Sequence, residues 1–260
     1  MKIPKITNKQ IEILKLIYRF RFLSSTQIQQ FLNHKDKMRI NLWLKDLHNK
    51  QYINRIYSNK IGDNIKPAIY YSGENLFKYV RDNLEFGEKY LKNIYRDHQR
   101  SEGFIDGQML VVDICLSLIS INNKGEDKYE FMTAADVTSS SNYFFMESLS
   151  PQLILTKNED KQYILVLLDS NMPKYMVKKK IKNYIELFYE NAWEENVGKQ
   201  FPTVLFACET KALLIFSKKT ARYLLADYQN PEDLELWFGL NEDVEEYGID
   251  AEVWEDAKIV

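Results

Sequence analysis
Apolar residues recur at helical spacing near the start of the chain, at Ile11, Leu14 and Tyr18, with Ile13, Leu16 and Ile17 widening the stripe. Thr7-Asn8-Lys9-Gln10 precedes them in the form of a capping box, a hydroxyl residue followed three places later by Gln. Arg19 to Leu23 closes this helix. Ser24-Ser25-Thr26 then starts a short amphipathic helix through Leu32, and Asn33-His34 breaks it. A third helix is predicted from about Asp36 to His48, with Ile40, Trp43, Leu44 and Leu47 as its inner stripe. That phasing leaves Lys35, Lys37, Arg39, Asn41 and Lys45 outside. Period-two and β-branched character then takes over: a strand at 52–57, a turn at 59–64 and a returning strand at 68–71.

Helical spacing returns at Leu76, Phe77, Val80 and Leu84, pauses at Phe86-Gly87-Glu88, and resumes at Tyr90, Leu91, Ile94 and Tyr95. Residues 104–121 read as a mostly apolar helix with Met109, Val112, Cys115, Leu116 and Ile119 inward, followed by a polar turn at 122–127. Strands are predicted at 129–131, 153–155, 163–168 and 203–208, with Thr138 to Asn142 as a loop and 158–161 as a turn. A basic helix spans 175–189 and carries Lys178, Lys179, Lys180 and Lys182. Further helical pieces start at about Thr210 and at Lys218. The uninterrupted apolar strand 163–168 is of the buried kind. Strands alternating with helices imply an α/β sheet, so the whole chain reads as α+β followed by α/β.

Net charge is −2, but it is split. Residues 1–100 hold 20 Lys and Arg against 9 Asp and Glu, a net of +11; residues 101–260 hold 15 against 28, a net of −13. The change of sign near Arg100 places a domain boundary there, giving segments 1–97, 98–229 and 230–260. The last of these has 11 acidic residues and one Lys, with Trp237 and Trp254 among them. Two Trp residues imply that it docks on its own domain or on a protein partner. Two cysteines and three scattered histidines offer neither a disulfide framework nor metal-ligand spacing. These features, with no signal-peptide pattern at the N-terminus, point to a reduced, cytoplasmic setting. The apolar runs 110–121 and 163–168 are too short to span a bilayer, and Asp113 interrupts the first.

Three helices followed by a hairpin is the order of a winged helix-turn-helix, in which the last helix enters the major groove of duplex DNA and the wing touches the backbone or minor groove. Arg39 and Asn41 are of the types that pair bidentately with guanine and adenine edges. Lys35, Lys37 and Lys45 suit phosphates, which position a protein without reading sequence, and Arg55 and Lys60 are further DNA-binding candidates. A solvated charged face is the alternative for any one of them; the local net of +11 favours contact for the group. The helices after the wing pack either on their own domain or against a second copy, as a homodimer. There is no Gly-rich phosphate loop, zinc spacing or Gly-x-Ser-x-Gly elbow. Serines 139–141 have no histidine near them in sequence, and the histidines do not form the cluster a tyrosine relaxase needs.

The run Thr7 to Leu23, with Leu44 to Leu47 and Tyr70-Tyr71-Ser72, resembles the replication-relaxation family of plasmids and integrative elements. The resemblance covers most of the chain up to about Asp227. It implies a winged helix-turn-helix followed by a small α/β domain similar to the restriction-nuclease core. It also implies a DNA-binding regulator or accessory factor in mobile-element replication or transfer. In that core a Pro-Asp on one strand and an acid on the next hold Mg²⁺. The matching positions here are Pro151-Gln152 and Leu167-Leu168-Asp169, with no lysine at Ser170-Asn171. Asp169 and Glu147 are the catalytic candidates that remain. The resemblance therefore implies a retained fold, lost cleavage and no cofactor. The alternatives are a Mg²⁺-dependent nuclease aimed by the same module, or a protein-interaction module built on the acidic half.

Overall fold
A computed structural model of the chain describes residues 3–57, 67–84, 87–125 and 127–258. The protein is of mixed α and β structure and divides into two compact units, residues 1–116 and 117–260.

In the first unit, α1 (Asn8–Phe20), α2 (Ser25–Phe31) and α3 (Lys37–Asn49) precede a hairpin of β2 (Ile53–Ile56) and β3 (Ile69–Ser72). Both expected helix starts are capping boxes: Thr7 with Gln10, and Ser24 with Gln27. Such boxes satisfy two otherwise orphaned backbone N–H groups at each start. The buried face of α1 is centred on Ile13, Leu14, Ile17 and Tyr18, while Ile11 and Leu16 lie at its margins. Arg21 ends α1 in the positive-φ region, and Leu23–Ser24 forms a short strand, β1, that pairs antiparallel with β3. The sheet order is β1-β3-β2. Helices α4 (Glu74–Asn83) and α5 (Glu88–Ile94) follow, burying Leu76, Phe77 and Val80, then Tyr90, Leu91 and Ile94. The expected turn at 59–64, together with Lys60 and Phe86, lies outside the described residues.

Helix α6 (Glu102–Lys124) runs across the division between the units. The boundary expected at residue 97 falls after Leu116 instead. The reason is local: Phe104 packs edge-on to Phe22, and Gln27 donates to Asp113 (2.7 Å), so this half of α6 belongs to the first unit. The apolar run expected to be too short for a bilayer sits in this 23-residue helix, which is long and apolar enough to cross one by length and composition. Of its most apolar window, 39% is buried within the protein.

The second unit is a six-stranded sheet in the order β4-β5-β6-β7-β8-β9. Its strands are β4 (Tyr129–Thr133), β5 (Leu153–Lys157), β6 (Lys161–Leu168), β7 (Thr203–Cys208), β8 (Leu236–Leu240) and β9 (Glu255–Asp256). β4, β5 and β6 are joined antiparallel; β7 and β8 then run parallel to β6. Asn158 and Glu159, both at positive φ, form the tight β5–β6 turn. Parallel pairing requires long crossovers. These are α8 (Lys174–Tyr189) with α9 (Ala192–Val197), and then α10 (Lys211–Leu225). Ile164, Val166, Leu168, Val204, Phe206 and Phe238 share one core with Ile181 and Tyr184 of α8 and with Leu224 of α10. Leu165, Leu205 and Ala207, on the alternate face, are buried too.

Two sequence expectations are corrected. Thr138 to Asn142 is not a loop: α7 (Ala134–Ser139), capped by a Thr133/Asp136 box, runs into a 3-10 turn at Ser141–Met146. The pieces at Thr210 and Lys218 are one continuous helix, α10, because Leu214, Ser217 and Ala221 form a single buried stripe. The acidic segment 230–260, expected to dock on its own domain or on a partner, supplies β8, α11 (Asn241–Tyr247) and β9 to its own unit, with Leu234, Leu236 and Phe238 fully buried.

Candidate nucleic-acid interface
The site is built on α3. Asp36 caps it, its Oδ1 accepting from the backbone N–H of Met38 (2.9 Å) and Arg39 (3.2 Å). The preceding turn is held by Asn33 at positive φ and by Gln29 donating to the His34 carbonyl (2.9 Å). The His34 ring meets Trp43 edge-on at 5.2 Å. Ile40, Leu44 and Leu47 are fully buried. With that stripe anchored inward, the helical period turns residues 37, 38, 41, 42 and 45 outward.

Lys35, Lys37, Arg39, Asn41 and Lys45 are all exposed, and none is paired with a carboxylate among the described residues. The acid on this helix, Asp46, is engaged elsewhere. Lys50 (2.7 Å) and Gln10 (2.6 Å) both donate to it, and these bonds hold its carboxyl below the usual range. Arg55 projects from β2 opposite Tyr70, its guanidinium 5.1 Å from the exposed ring of Tyr57. Five of the expected residues are thus brought onto or beside α3, and Arg55 onto the hairpin.

Two residues were missed. Met38 and Leu42 are 76% and 64% exposed and stand one turn apart on the same outer face. The signal was in the sequence: both are apolar yet out of phase with Ile40, Leu44 and Leu47. Apolar side chains beside amide and guanidinium groups are what a thymine methyl next to polar base edges requires.

The nuclease-like positions are also brought together. The Gln152 N–H donates to the Leu165 carbonyl (2.9 Å), and its Oε1 accepts from the Leu167 N–H (2.8 Å). The side chain thus replaces the strand partner that β6 loses where β5 begins. Lys180 of α8 is partly buried and donates to the Leu167 carbonyl (3.3 Å); burial lowers its pKa to about 8. Asp169 accepts from the backbone N–H (2.7 Å) and side chain (3.0 Å) of Asn171, and Glu209 from the Ser170 N–H (2.7 Å). Glu147 has no described bond to Asp169. Among the described residues, no group of three or more His, Cys, Asp or Glu could hold a metal ion. Mg²⁺ takes oxygen ligands, chiefly carboxylates, where this site offers a carboxamide already in use and a leucine. On the basic helix, Lys182 is paired with Glu186 (2.8 Å), and Lys178 lies 5.2 Å from the Tyr223 ring.

No protein-family model, curated protein or solved structure matches the chain.

Proposed function
We propose that the protein reads duplex DNA through a winged helix, with α3 in the major groove and the β2–β3 hairpin as the wing. The observation that carries this reading is the outer face of α3. Among the described residues its cations have no carboxylate partner and interleave with Asn41, Met38 and Leu42, while its acid is tied to α1 and to Lys50. Lys35, Lys37 and Lys45 would neutralise phosphates, and Arg39 and Asn41 would read base edges. The net of +11 over residues 1–100 supplies long-range attraction. The protein would then be a regulator or accessory factor of mobile-element replication or transfer, within the replication-relaxation family. That assignment rests on the patterns that form α1, the end of α3 and β3.

For the second unit we propose a nuclease-like scaffold without cleavage. The juxtaposition of Gln152 and Leu167 supports the alignment that puts them where the acids would stand. Incubation with DNA and Mg²⁺ should leave the DNA intact; cleavage that Asp169→Ala abolishes would establish the nuclease instead.

The test of DNA reading is selection of bound duplexes from a random pool at two salt concentrations. An enriched motif is expected. Replacing Lys37 and Lys45 by Ala should weaken all sequences evenly and flatten the log–log salt slope by about 0.9 for each lost phosphate contact. A steep salt dependence with no enriched motif would reduce the reading to backbone attraction.

A further inference from the structure
We propose that the first unit carries a second nucleic-acid site, selective for single strands, in the groove between the β2–β3 hairpin and helices α4 and α5. The groove has a volume of about 1150 Å³. That is larger than a pocket for one small ligand and suited to a segment of chain. It shares the hairpin with the duplex reading, but its helices α4 and α5 are separate elements from α3, so variants on each can be told apart.

Aromatic and basic groups line the groove together. Tyr71 and Phe77 line it, and Tyr95 stands 5.2 Å from Phe77 with 62% of its surface exposed. Among the described residues, the two carboxylates that line it, Glu74 and Glu88, are each matched within their own helix, by Lys78 (2.9 Å) and Lys92 (3.7 Å). Arg81 and Arg96 are left over. Both are exposed, both line the groove, and neither has a carboxylate partner among the described residues. The remaining chemistry is two guanidinium groups and an exposed aromatic ring lining one groove.

Guanidinium binds phosphate, and a ring face binds a base. A duplex offers phosphates, but its base faces are stacked away, so Tyr95 would gain nothing from it. An acidic peptide would satisfy the arginines and leave the ring without a π partner. A single strand presents both groups at once, with unstacked bases available to aromatic side chains.

The experiment measures binding of a labelled oligo-dT of about 12 nucleotides, a length within known single-strand site sizes. A duplex of the same length and an oligo-glutamate peptide of matching charge run alongside. The variants are surface changes: Arg81→Glu with Arg96→Glu, Tyr95→Ala, and Arg39→Ala with Asn41→Ala as the α3 control. The arginine pair should weaken single-strand binding by more than about tenfold, and Tyr95→Ala by about tenfold. Both should change duplex binding by less than about twofold, and the α3 pair should do the converse. Three results would overturn the proposal. One is equal weakening of duplex and single strand by the groove variants. Another is no effect of Tyr95→Ala. The third is oligo-glutamate binding as tightly as the oligonucleotide through the same arginines, which would make the groove a dock for acidic protein. Single-strand binding without any duplex binding would overturn the duplex reading and leave this one standing.

Discussion
At the scale of single residues, phasing on α3 decides what each side chain does. Ile40 is sealed, and its neighbours Arg39 and Asn41 are exposed because one residue turns the helix by about 100°. Replacing Asn41 with Ala is expected to relax preference at one base pair by about 1–3 kcal/mol, read by repeating the selection and comparing position by position. An unchanged profile would remove Asn41 from the interface. Lys180 is a residue of the other kind, a cation partly withdrawn from water with no acid beside it. Burial lowers its pKa from 10.5 to about 8. Between those values the unfolded chain binds more protons than the folded one, so the burial penalty is full below about pH 8 and fades as pH rises toward 10.5. Lys180→Met should therefore be more stable than the parent in urea at about pH 7, with a smaller gain at about pH 9.5. A gain that grows with pH would contradict the assignment.

At the scale of elements, two joints hold the first unit. In one, Arg21 and Asp97 form a two-pronged ion pair between the end of α1 and the segment ahead of α6, with Asp97 only 1% exposed. Desolvation nonetheless raises the Asp97 carboxyl above its ordinary pKa, so the pair serves to place two elements more than to add stability. In the other, the Gly73 N–H donates to the Tyr52 carbonyl (2.9 Å) where β3 turns into α4. A Cβ on Gly73 would stand 2.6 Å from the Gln51 carbonyl oxygen and 2.9 Å from the Ile53 nitrogen. Backbone atoms cannot swing aside as a side-chain end can. Gly73→Ala should thus cost about 1–3 kcal/mol in denaturant unfolding. A neutral result would mean the two segments separate more readily than their hydrogen bonds imply.

At the scale of the whole molecule, the acidic C-terminal segment is structural as well as charged. β8 lies beside β7, and Phe238 stacks on Phe206 at 4.9 Å within the core. The close approach of Trp254 to Gly239, 3.0 Å from where a Cβ would sit, closes the strand from the other side. Truncation after residue 229 should therefore abolish cooperative unfolding of the second unit, followed by near-ultraviolet circular dichroism. It should not yield a folded protein that has merely lost negative charge. A truncated chain with an unchanged aromatic spectrum would show that β8 and β9 are dispensable. Testing whether the acidic surface tempers DNA affinity calls for neutralising exposed residues such as Glu242, Glu245 and Glu246 within the intact sheet.

The sequence by itself determined the elements whose signals are local. Both N-terminal capping boxes, the helical stripes of α1 and α3, the hairpin strands and the buried run at 163–168 follow from spacing and side-chain type within a few residues. It also determined the split of charge and most of the outward face of α3. Tertiary structure decided what depends on distant partners. It carried the first unit past the expected boundary into α6 through Gln27 and Phe22, and drew the acidic C-terminal segment into a sheet whose neighbour lies some thirty residues earlier. It set Gln152 against Leu167, and it brought Arg81, Arg96 and Tyr95 into the lining of one groove. Periodicity reports which face of an element is apolar, but only packing determines what that face meets and which polar groups are left without a partner.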